Sequence, residues 1–142
     1  MDFFKRTIVA VDDSPIILKM LECLLKEKYA FRGFTKGDRA LTYLQERFVN
    51  LIILDIDMPD MNGVEVLDMI RNELHLETPI IMLTSNNDKN HVVECFKNGA
   101  NDYVVKPIDE AAFMQKLEKK YGRFGIPNLT KIIIRRHITY IP

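Results

Sequence analysis

Residues 51–63 have the sequence LIILDIDMPDMNG, in which four consecutive apolar residues precede Asp55 and a turn begins at Pro59. An apolar run without alternation is typical of a strand that is buried on both faces of a parallel sheet. Pro59 and Gly63 indicate that the strand ends in a loop. Ligands of open parallel sheets bind beyond the carboxyl ends of the strands. The pattern therefore places Asp55 at the edge where a functional site is expected.

Three other apolar runs end at polar residues in the same way. They are Ile8–Val11 before Asp12 and Asp13, Ile80–Leu83 before Thr84 and Ser85, and Tyr103–Val105 before Lys106 and Pro107. If all four runs are parallel strands of one sheet, their terminal residues meet at a single edge. We therefore expect three carboxylates, one hydroxyl and one amine to converge there.

Helical patterns separate these strands. Ser14-Pro15 combines a capping hydroxyl with proline at the first helical position, and predicts a helix that ends near Lys28. Tyr29–Phe34 is a weaker, aromatic strand candidate that suits an edge of the sheet. Further helices are predicted from Gly37, over Val64–Leu74, over Val92–Phe96 with closure at Asn98-Gly99, and over Ile108–Tyr121. This alternation predicts right-handed crossovers and a three-layer α/β/α sandwich around a five-stranded parallel sheet.

The composition is that of one globular domain, with 142 residues, 47% hydrophobic and 28% charged. The first 122 residues hold all 20 acidic residues but 16 of the 20 lysines and arginines, so their formal charge is −4. An acidic body argues against generic binding to nucleic acid, which depends on basic groups. Residues 123–142 are basic and β-prone, and we expect a C-terminal tail rather than a separate domain.

No apolar run reaches the ~18 residues of a membrane span, and residues 1–6 lack the apolar region of a signal peptide. The expectation is therefore a cytoplasmic protein without membrane contact. Cys23 and Cys95 lie beside apolar residues in helical patterns. Both are expected to pack as small hydrophobic side chains rather than to form a disulfide or a metal site.

Three carboxylates in one pocket repel one another, since two unit charges ~4 Å apart cost about 4 kcal/mol at an effective dielectric of about 20. Such a cluster favours a bound cation. Oxygen ligands without nearby histidine or cysteine suit Mg²⁺ better than a fully caged Ca²⁺. An aspartate beside Mg²⁺, Lys106 and Thr84 is a credible nucleophile toward phosphorus, because phosphoryl transfer depends mainly on positioning and positive charge.

These motifs, in their order along the chain, resemble the receiver domain of bacterial two-component response regulators, the CheY-like superfamily. The matching pieces are Val11-Asp12-Asp13-Ser14, Asp55 with Met58-Pro59-Asp60-Met61-Asn62-Gly63, Leu83-Thr84-Ser85, Gly99-Ala100-Asn101-Asp102-Tyr103, and Lys106-Pro107. The resemblance covers roughly residues 5–121. It implies a flavodoxin-like sheet of order 2-1-3-4-5 and a receiver domain over residues 1–122. Because no output domain is recognisable in the sequence, the stand-alone type is expected.

The resemblance also implies roles for the acidic residues. Asp55 is the expected phosphoacceptor, which takes a phosphoryl group from a sensor histidine kinase or a histidine phosphotransfer protein. Asp12 and Asp13 are expected to hold Mg²⁺ together with Asp55 and the backbone carbonyl of Asp57. Asp57 and Asn86 occupy positions that, in this family, tune the lifetime of the phosphoryl group.

The remaining motif residues are implied to form the switch. Lys106 is expected to pair with a phosphoryl oxygen and to precede a cis bond to Pro107. Thr84 is expected to move toward the phosphoryl group, and Tyr103 to swing inward behind it. The readout surface is then the fourth helix, the fifth strand and the fifth helix. The downstream target is not readable from the sequence.

Each of these residues alone has a simpler explanation. Aspartates often cap helices at strand-to-helix turns, and an isolated Lys106 or Thr84 is usually a solvated side chain. Joint placement after four apolar runs favours a site. Two alternatives stay open: a Mg²⁺-dependent phosphatase with Asp55 as nucleophile and Asp57 as acid, and a receiver-like interaction module that is not phosphorylated.

The expected activity is that of a signalling switch with self-catalysed phosphorylation and dephosphorylation only, and not that of an enzyme with an external substrate. We expect a monomer or a weak dimer. The tail, residues 123–142, is the candidate dimer contact, because a β-prone segment can add to an unpaired sheet edge.

Overall fold

The computed structural model describes residues 5–85 and 89–121 of the chain. Within these residues, five parallel strands form one sheet in the order β2-β1-β3-β4-β5. The strands are β1 (Arg6–Val11), β2 (Tyr29–Phe34), β3 (Leu51–Asp55), β4 (Ile80–Thr84) and β5 (Asp102–Val105). The predicted α/β class and strand order are confirmed. All five residues of β3 are buried, as its unbroken apolar sequence predicts.

The predicted helices are also present. They are α1 (Pro15–Leu25), α2 (Gly37–Glu46), α3 (Gly63–Asp68), α4 (Lys89–Lys97) and α5 (Glu110–Tyr121). The Ser14 hydroxyl accepts a hydrogen bond from the Ile17 amide at 3.3 Å, which confirms the predicted cap of α1. α1 ends at Leu25, earlier than the predicted end near Lys28. α5 begins at Glu110 rather than Ile108, because the Asp109 carboxylate accepts a hydrogen bond from an amide in its first turn.

The third helix departs from its predicted course. The pattern over Val64–Leu74 predicts one α-helix, whereas α3 ends at Asp68 and continues as a π-helical turn over Met69–Glu73. The Leu74 amide donates to the Met69 carbonyl at 2.9 Å, which closes the wider turn. His75 follows with a φ of +54°, a left-handed conformation that a residue with a side chain adopts at a cost. Neither glycine nor proline marks this irregularity in the sequence.

Each face of the sheet packs against its own group of helices. One core joins α2, α3 and α4 to side chains such as Val9, Ile52 and Met82. The other joins α1 and α5 to the alternate side chains, such as Ile8, Ile53 and Leu83. Since neighbouring residues of a strand point to opposite faces, both sets must be apolar. The observed arrangement is the predicted three-layer sandwich.

Two predictions about single residues have different outcomes. Cys95 of α4 is buried in the core as predicted, but Cys23 is exposed, so its expected packing role is wrong. Cys23 falls on the outer side of α1, where the helix faces away from Leu21 and Leu25. Both cysteines are unpaired. The predicted tail over residues 123–142 lies outside the described residues. None of the described helices has the length and hydropathy needed to cross a membrane.

Replacement of Ile53 by alanine tests the doubly covered sheet. The side chain is fully buried, so Ile53→Ala should lower the free energy of unfolding by about 2–5 kcal/mol through lost burial and a cavity. Ile16, which is 80% exposed on α1, provides the matched control. Ile16→Ala should change the free energy by less than about 0.5 kcal/mol in chemical denaturation. Equal losses for both variants would contradict the described packing.

Candidate functional site

The carboxyl edge of the sheet brings the predicted site residues together. Asp55 is the last residue of β3 and Thr84 the last residue of β4. Asp12 directly follows β1, and Lys106 directly follows β5. The registers align these ends, because Val11 lies opposite Leu54 and Thr84 lies opposite Val105. The convergence expected from the four apolar runs is therefore present.

The three aspartates form one cluster. Asp12 and Asp55 are 0% and 1% exposed, whereas Asp13 is exposed. One carboxylate oxygen from each lies within 4.8 Å of the other two. Oxygen-only ligands in this arrangement suit a hard divalent cation, with Asp13 on the solvent side. The cluster could therefore hold a metal ion.

Lys106 balances the two buried carboxylates. Its Nζ lies 2.8 Å from Asp12 Oδ2 and 3.2 Å from Asp55 Oδ1. Burial acts to lower the pKa of Lys106, but hydrogen bonding and the charges of Asp12 and Asp55 outweigh it and raise that pKa above its ordinary value. The ammonium group is therefore charged at neutral pH. The Lys106–Pro107 peptide bond is cis, as the resemblance implies.

The two oxygens of Asp55 have different surroundings. Oδ1 contacts Lys106 and accepts a hydrogen bond from the Asp57 amide at 3.3 Å. Oδ2 is buried, and within residues 5–85 and 89–121 no hydrogen bond reaches it. A buried carboxylate oxygen without a donor is costly. Oδ2 is thus a candidate ligand atom for a cation.

The ionisation of Asp55 is strongly perturbed. Burial raises its pKa, and the nearby charge of Asp12 raises it further, whereas Lys106 and the Asp57 amide lower it. The net result is a pKa of about 7 in place of 3.8. A cation beside Oδ2 would oppose this shift, because a positive charge favours the carboxylate form. The protein groups alone therefore leave the negative charge of the site incompletely neutralised.

The loop after β3 depends on the absence of a side chain at Gly63. A Cβ atom there would lie 2.8 Å from the Cα of Ile56 and would also strike the backbone of Asp55. The Gly63 amide donates to the Ile56 carbonyl at 2.8 Å. The sequence shows Gly63 as a turn residue, but its close approach to the end of β3 is visible only in the fold.

The predicted switch residues Thr84 and Tyr103 have different neighbours. Thr84 is buried at the rim, and its carbonyl accepts a hydrogen bond from the Lys106 amide at 2.7 Å. Tyr103 lies three residues before Lys106, and its ring packs edge-on against Phe96 of α4, with 6.2 Å between ring centroids. Tyr103 therefore contacts α4, while Thr84 and Lys106 lie with the aspartates.

Asp57 makes a contact that the sequence did not reveal. Its side chain is exposed, and its Oδ2 accepts a hydrogen bond from the Ser85 hydroxyl at 3.1 Å. This bond joins the loop after β3 to the residue after Thr84. Sequence reasoning gave Ser85 no role, although its position beside Thr84 was an available signal. Asn86, the other predicted lifetime residue, lies outside the described residues.

Comparison with known proteins agrees with this geometry. The family model described as response regulator receiver domain matches residues 8–118. The chain belongs to this family. Among curated relatives, the DNA-binding response regulator MtrA of Mycolicibacterium smegmatis is 33% identical over 124 residues, which cover 87% of this chain and 54% of MtrA. The chain spans about half or less of the length of the curated relatives it matches.

Solved receiver structures share the fold. Chemotaxis protein CheY4 of Vibrio cholerae has a TM-score of 0.76 and 30% identity, covering 81% of this chain and 98% of CheY4. The BeF3-activated receiver domain of DrrB, a Thermotoga maritima protein, has a TM-score of 0.74 and 31% identity, covering 82% of this chain and 97% of that domain. These values place the chain among receiver domains of two-component response regulators in both sequence and structure.

Replacement of Asp55 by asparagine tests the electrostatics of this receiver. Between pH 3.8 and about 7 the folded parent binds more protons at Asp55 than the unfolded chain, so its free energy of unfolding falls as pH rises through that window. The variant Asp55→Asn has no ionisable group at this position, so its free energy of unfolding lacks this decline. In chelator at pH 8 it should be more stable than the parent by about 1–3 kcal/mol. The gap should shrink toward pH 4 in thermal or urea unfolding; parallel pH curves would contradict the perturbed pKa.

Proposed function

We propose that the chain is a phosphorylation-operated switch in which Asp55 accepts a phosphoryl group with the help of Mg²⁺. The observation that carries the proposal is the buried Oδ2 of Asp55, which lies among Asp12, Asp13 and Lys106 without a hydrogen bond from the described residues. Such an oxygen has a fixed position but no hydrogen-bond donor among the described residues. A phosphoryl donor and a divalent cation are the partners that this combination of charge and position favours.

The proposed donor is a phosphohistidine of a sensor histidine kinase or of a histidine phosphotransfer protein. Asp55 Oδ2 attacks phosphorus, a P–O bond forms, and the P–N bond to the donor imidazole breaks. The leaving imidazole nitrogen takes up a proton. Bound at Asp12, Asp13, Asp55 and the Asp57 carbonyl, Mg²⁺ would supply positive charge for the equatorial phosphoryl oxygens.

Other side chains of the protein are proposed to bind the phosphoryl group and to connect it to the surface. Lys106, already charged and between two carboxylates, is placed to transfer its contact to a phosphoryl oxygen. Thr84 offers a hydroxyl at the same rim. These contacts exist only in the phosphorylated state, and a population shift requires such a difference between states. Tyr103, which packs on Phe96, is the proposed connection from this rim to the surface of α4, β5 and α5.

We further propose that the chain acts by protein contact and not as an enzyme with an external substrate. Hydrolysis of the phosphorylated aspartate by water would end the signal and restore Asp55. The proposed setting is the cytoplasm, where ATP maintains the supply of phosphorylated donors. MtrA is named as a DNA-binding regulator. The corresponding property is not proposed for this chain, because its described residues comprise only the receiver fold.

Labelling by a small phosphoryl donor tests the acceptor assignment. With acetyl phosphate and Mg²⁺, the parent should gain one phosphoryl group that mass spectrometry detects, and Asp55→Asn should lose it. Asp60→Asn is the matched control, because Asp60 is an exposed residue of the neighbouring loop. Chelation of Mg²⁺ should slow labelling by about 10²-fold or more, as expected when a metal ion stabilises phosphoryl transfer.

Three results would contradict the proposal in different ways. Labelling of Asp55→Asn at the parental rate would overturn the site. Multiple turnover of a small phosphate ester, at many equivalents per protein, would favour the phosphatase alternative. Absence of labelling in the parent, together with Mg²⁺-independent binding to a partner protein, would favour a receiver-like module that is not phosphorylated.

The Asp57–Ser85 hydrogen bond is proposed to influence the lifetime of the phosphoryl group. The bond spans the two loops beside the acceptor, so Asp57→Ala and Ser85→Ala should each alter the hydrolysis rate. If both residues act through this bond, the hydrolysis rate of the double variant should equal that of a single variant. This corresponds to a coupling energy of about 0.5–3 kcal/mol. The measurement is loss of label after removal of acetyl phosphate. Fully additive effects would show that the two residues act independently.

A further inference from the structure

β2 forms an open edge of the sheet. It pairs with β1 over residues 29–34, and within residues 5–85 and 89–121 no strand pairs with its other side. Ala30, Arg32 and Gly33 of this strand are exposed. An edge strand presents a row of backbone N–H and C=O groups to which another extended chain can hydrogen-bond. The small residues Ala30 and Gly33 leave this backbone accessible.

Four basic residues accompany this edge, and with the backbone of β2 they make up the β2 edge surface. They are Arg32 on the strand, Lys36 directly before α2, Arg39 in the first turn of α2, and Arg47 at its C-terminal end. All four residues are exposed. Arg39 and Arg47 lie about one helical turn before and after Tyr43, so they share one side of α2 with that residue.

Arg32 is held against two aromatic rings. Its guanidinium carbon lies 5.2 Å from the ring centroid of Tyr43 and 5.6 Å from that of Phe34, within the range of a cation–π contact. The two rings contact each other, with 5.3 Å between their centroids, and both pack against the core. The cation therefore has a defined position although it is exposed. An ordered side chain loses less conformational entropy when it binds a partner.

The basic residues of the β2 edge surface have no carboxylate partner in the described part of the chain. Lysines of α1 and α5 form ion pairs with nearby carboxylates. No ion pair among residues 5–85 and 89–121 includes a basic residue of the β2 edge surface. Of the two acidic residues in this region, Asp38 accepts a hydrogen bond from the Arg39 amide at 2.8 Å, and Glu46 is exposed.

The β2 edge surface is a positive region on a negative body. Residues 29–47 contain four basic and two acidic residues, which gives a formal charge of +2. The remainder of residues 1–122 carries a formal charge of −6. Complementary charge steers a partner toward such a region and disfavours the wrong partners. An anionic partner is therefore favoured at this edge.

We propose that the β2 edge surface binds an extended acidic segment of a partner protein, which adds to the sheet as a strand beside β2. Backbone hydrogen bonds to the open edge supply the attachment, and carboxylates at alternate positions meet the cations. A strand rises about 3.3 Å per residue, so the six residues of β2 span about 20 Å and match a partner segment of similar length. This inference goes beyond the phosphorylation proposed for Asp55 and does not depend on it.

Backbone chemistry and charge favour an acidic strand over other occupants. A nucleic acid supplies phosphates but no strand-pairing groups, and its long row of phosphates is repelled by the negative remainder of the body. Residues 123–142 of this chain are β-prone, but they hold four basic residues and no acidic one. Like charges across a strand pair are destabilising. The surface therefore favours an acidic polypeptide.

Titration of the full chain with a blocked eight-residue peptide of alternating glutamate and valine tests the inference. Calorimetry measures the dissociation constant, and amide hydrogen exchange locates the bound peptide. At saturation, exchange of the outward-facing amides of β2 should slow by about tenfold or more, because new backbone hydrogen bonds protect them. Exchange in β5, the opposite edge strand, should change by less than about twofold.

Two altered peptides separate the contributions of charge and backbone. The counterpart with glutamine in place of glutamate should bind at least about tenfold more weakly, because it lacks the carboxylates that complement the cations. The glutamate peptide with alternate backbone nitrogens methylated keeps its charge but loses strand-pairing donors. It should also bind at least about tenfold more weakly, because strand addition depends on main-chain hydrogen bonds.

Variants of the chain locate the binding surface. Arg32→Gln and Arg39→Gln should each weaken binding of the glutamate peptide by about fivefold or more through loss of a charge-assisted contact. Lys119→Gln removes the same charge from an exposed position of α5 and should bind within about twofold of the parent. Asp55→Asn should bind as the parent does, which separates this inference from the proposed function. If Arg32→Gln fails to fold, Arg39→Gln decides.

Four results would overturn the inference. The first is absence of binding by the glutamate peptide at millimolar concentration. The second is equal binding by the methylated peptide, since the carboxylates would then act without strand pairing. The third is tighter binding of an eight-nucleotide thymidine oligomer at the same residues, which would indicate a nucleic-acid surface. The fourth is protection of the outward-facing β2 amides without peptide, which would show that this chain or a second copy already occupies the edge.

Discussion

The burial of two carboxylates around one ammonium group is the constraint on which this structure depends. Asp12 and Asp55 lie almost out of contact with solvent, and Lys106 offsets their repulsion together with the backbone amides of Ser14 and Asp57. Such a cluster costs stability that the two apolar cores must supply. The sheet can bear this cost because both of its faces are covered by helices. This unfavourable charge balance is the reason that a cation and a phosphoryl group are proposed as partners for this edge.

The same constraint links the site to the rest of the molecule. Asp12, Asp55, Thr84 and Lys106 each stand at the end of a rigid strand, so their mutual distances are set by the sheet and not by flexible loops. A change in charge at Asp55 therefore acts directly on Lys106, whose Nζ lies 3.2 Å from Asp55 Oδ1.

Much of this organisation was predictable from the sequence. Four apolar runs lead into Asp12, Asp55, Thr84 and Lys106. They predict both where the strands lie and which residues meet, because parallel strands share one carboxyl edge. Features without a periodic signal were missed. The Asp57–Ser85 bond and the contacts of Arg71 with Gly99 and Asn101 join residues far apart in sequence. The exposed Cys23 shows that apolar neighbours in a helical pattern do not decide which side chains face the core.

The sequence by itself determined the fold class, the family and which residues meet at the carboxyl edge of the sheet, since each follows from local pattern and order along the chain. The tertiary structure alone decided how the charges are shared. It showed which oxygen of Asp55 lacks a donor, and that burial and the charge of Asp12 raise the pKa of Asp55 to about 7. It also placed Arg71 against the turn after α4. These properties depend on distances and burial in three dimensions, which no spacing of residues along one chain specifies.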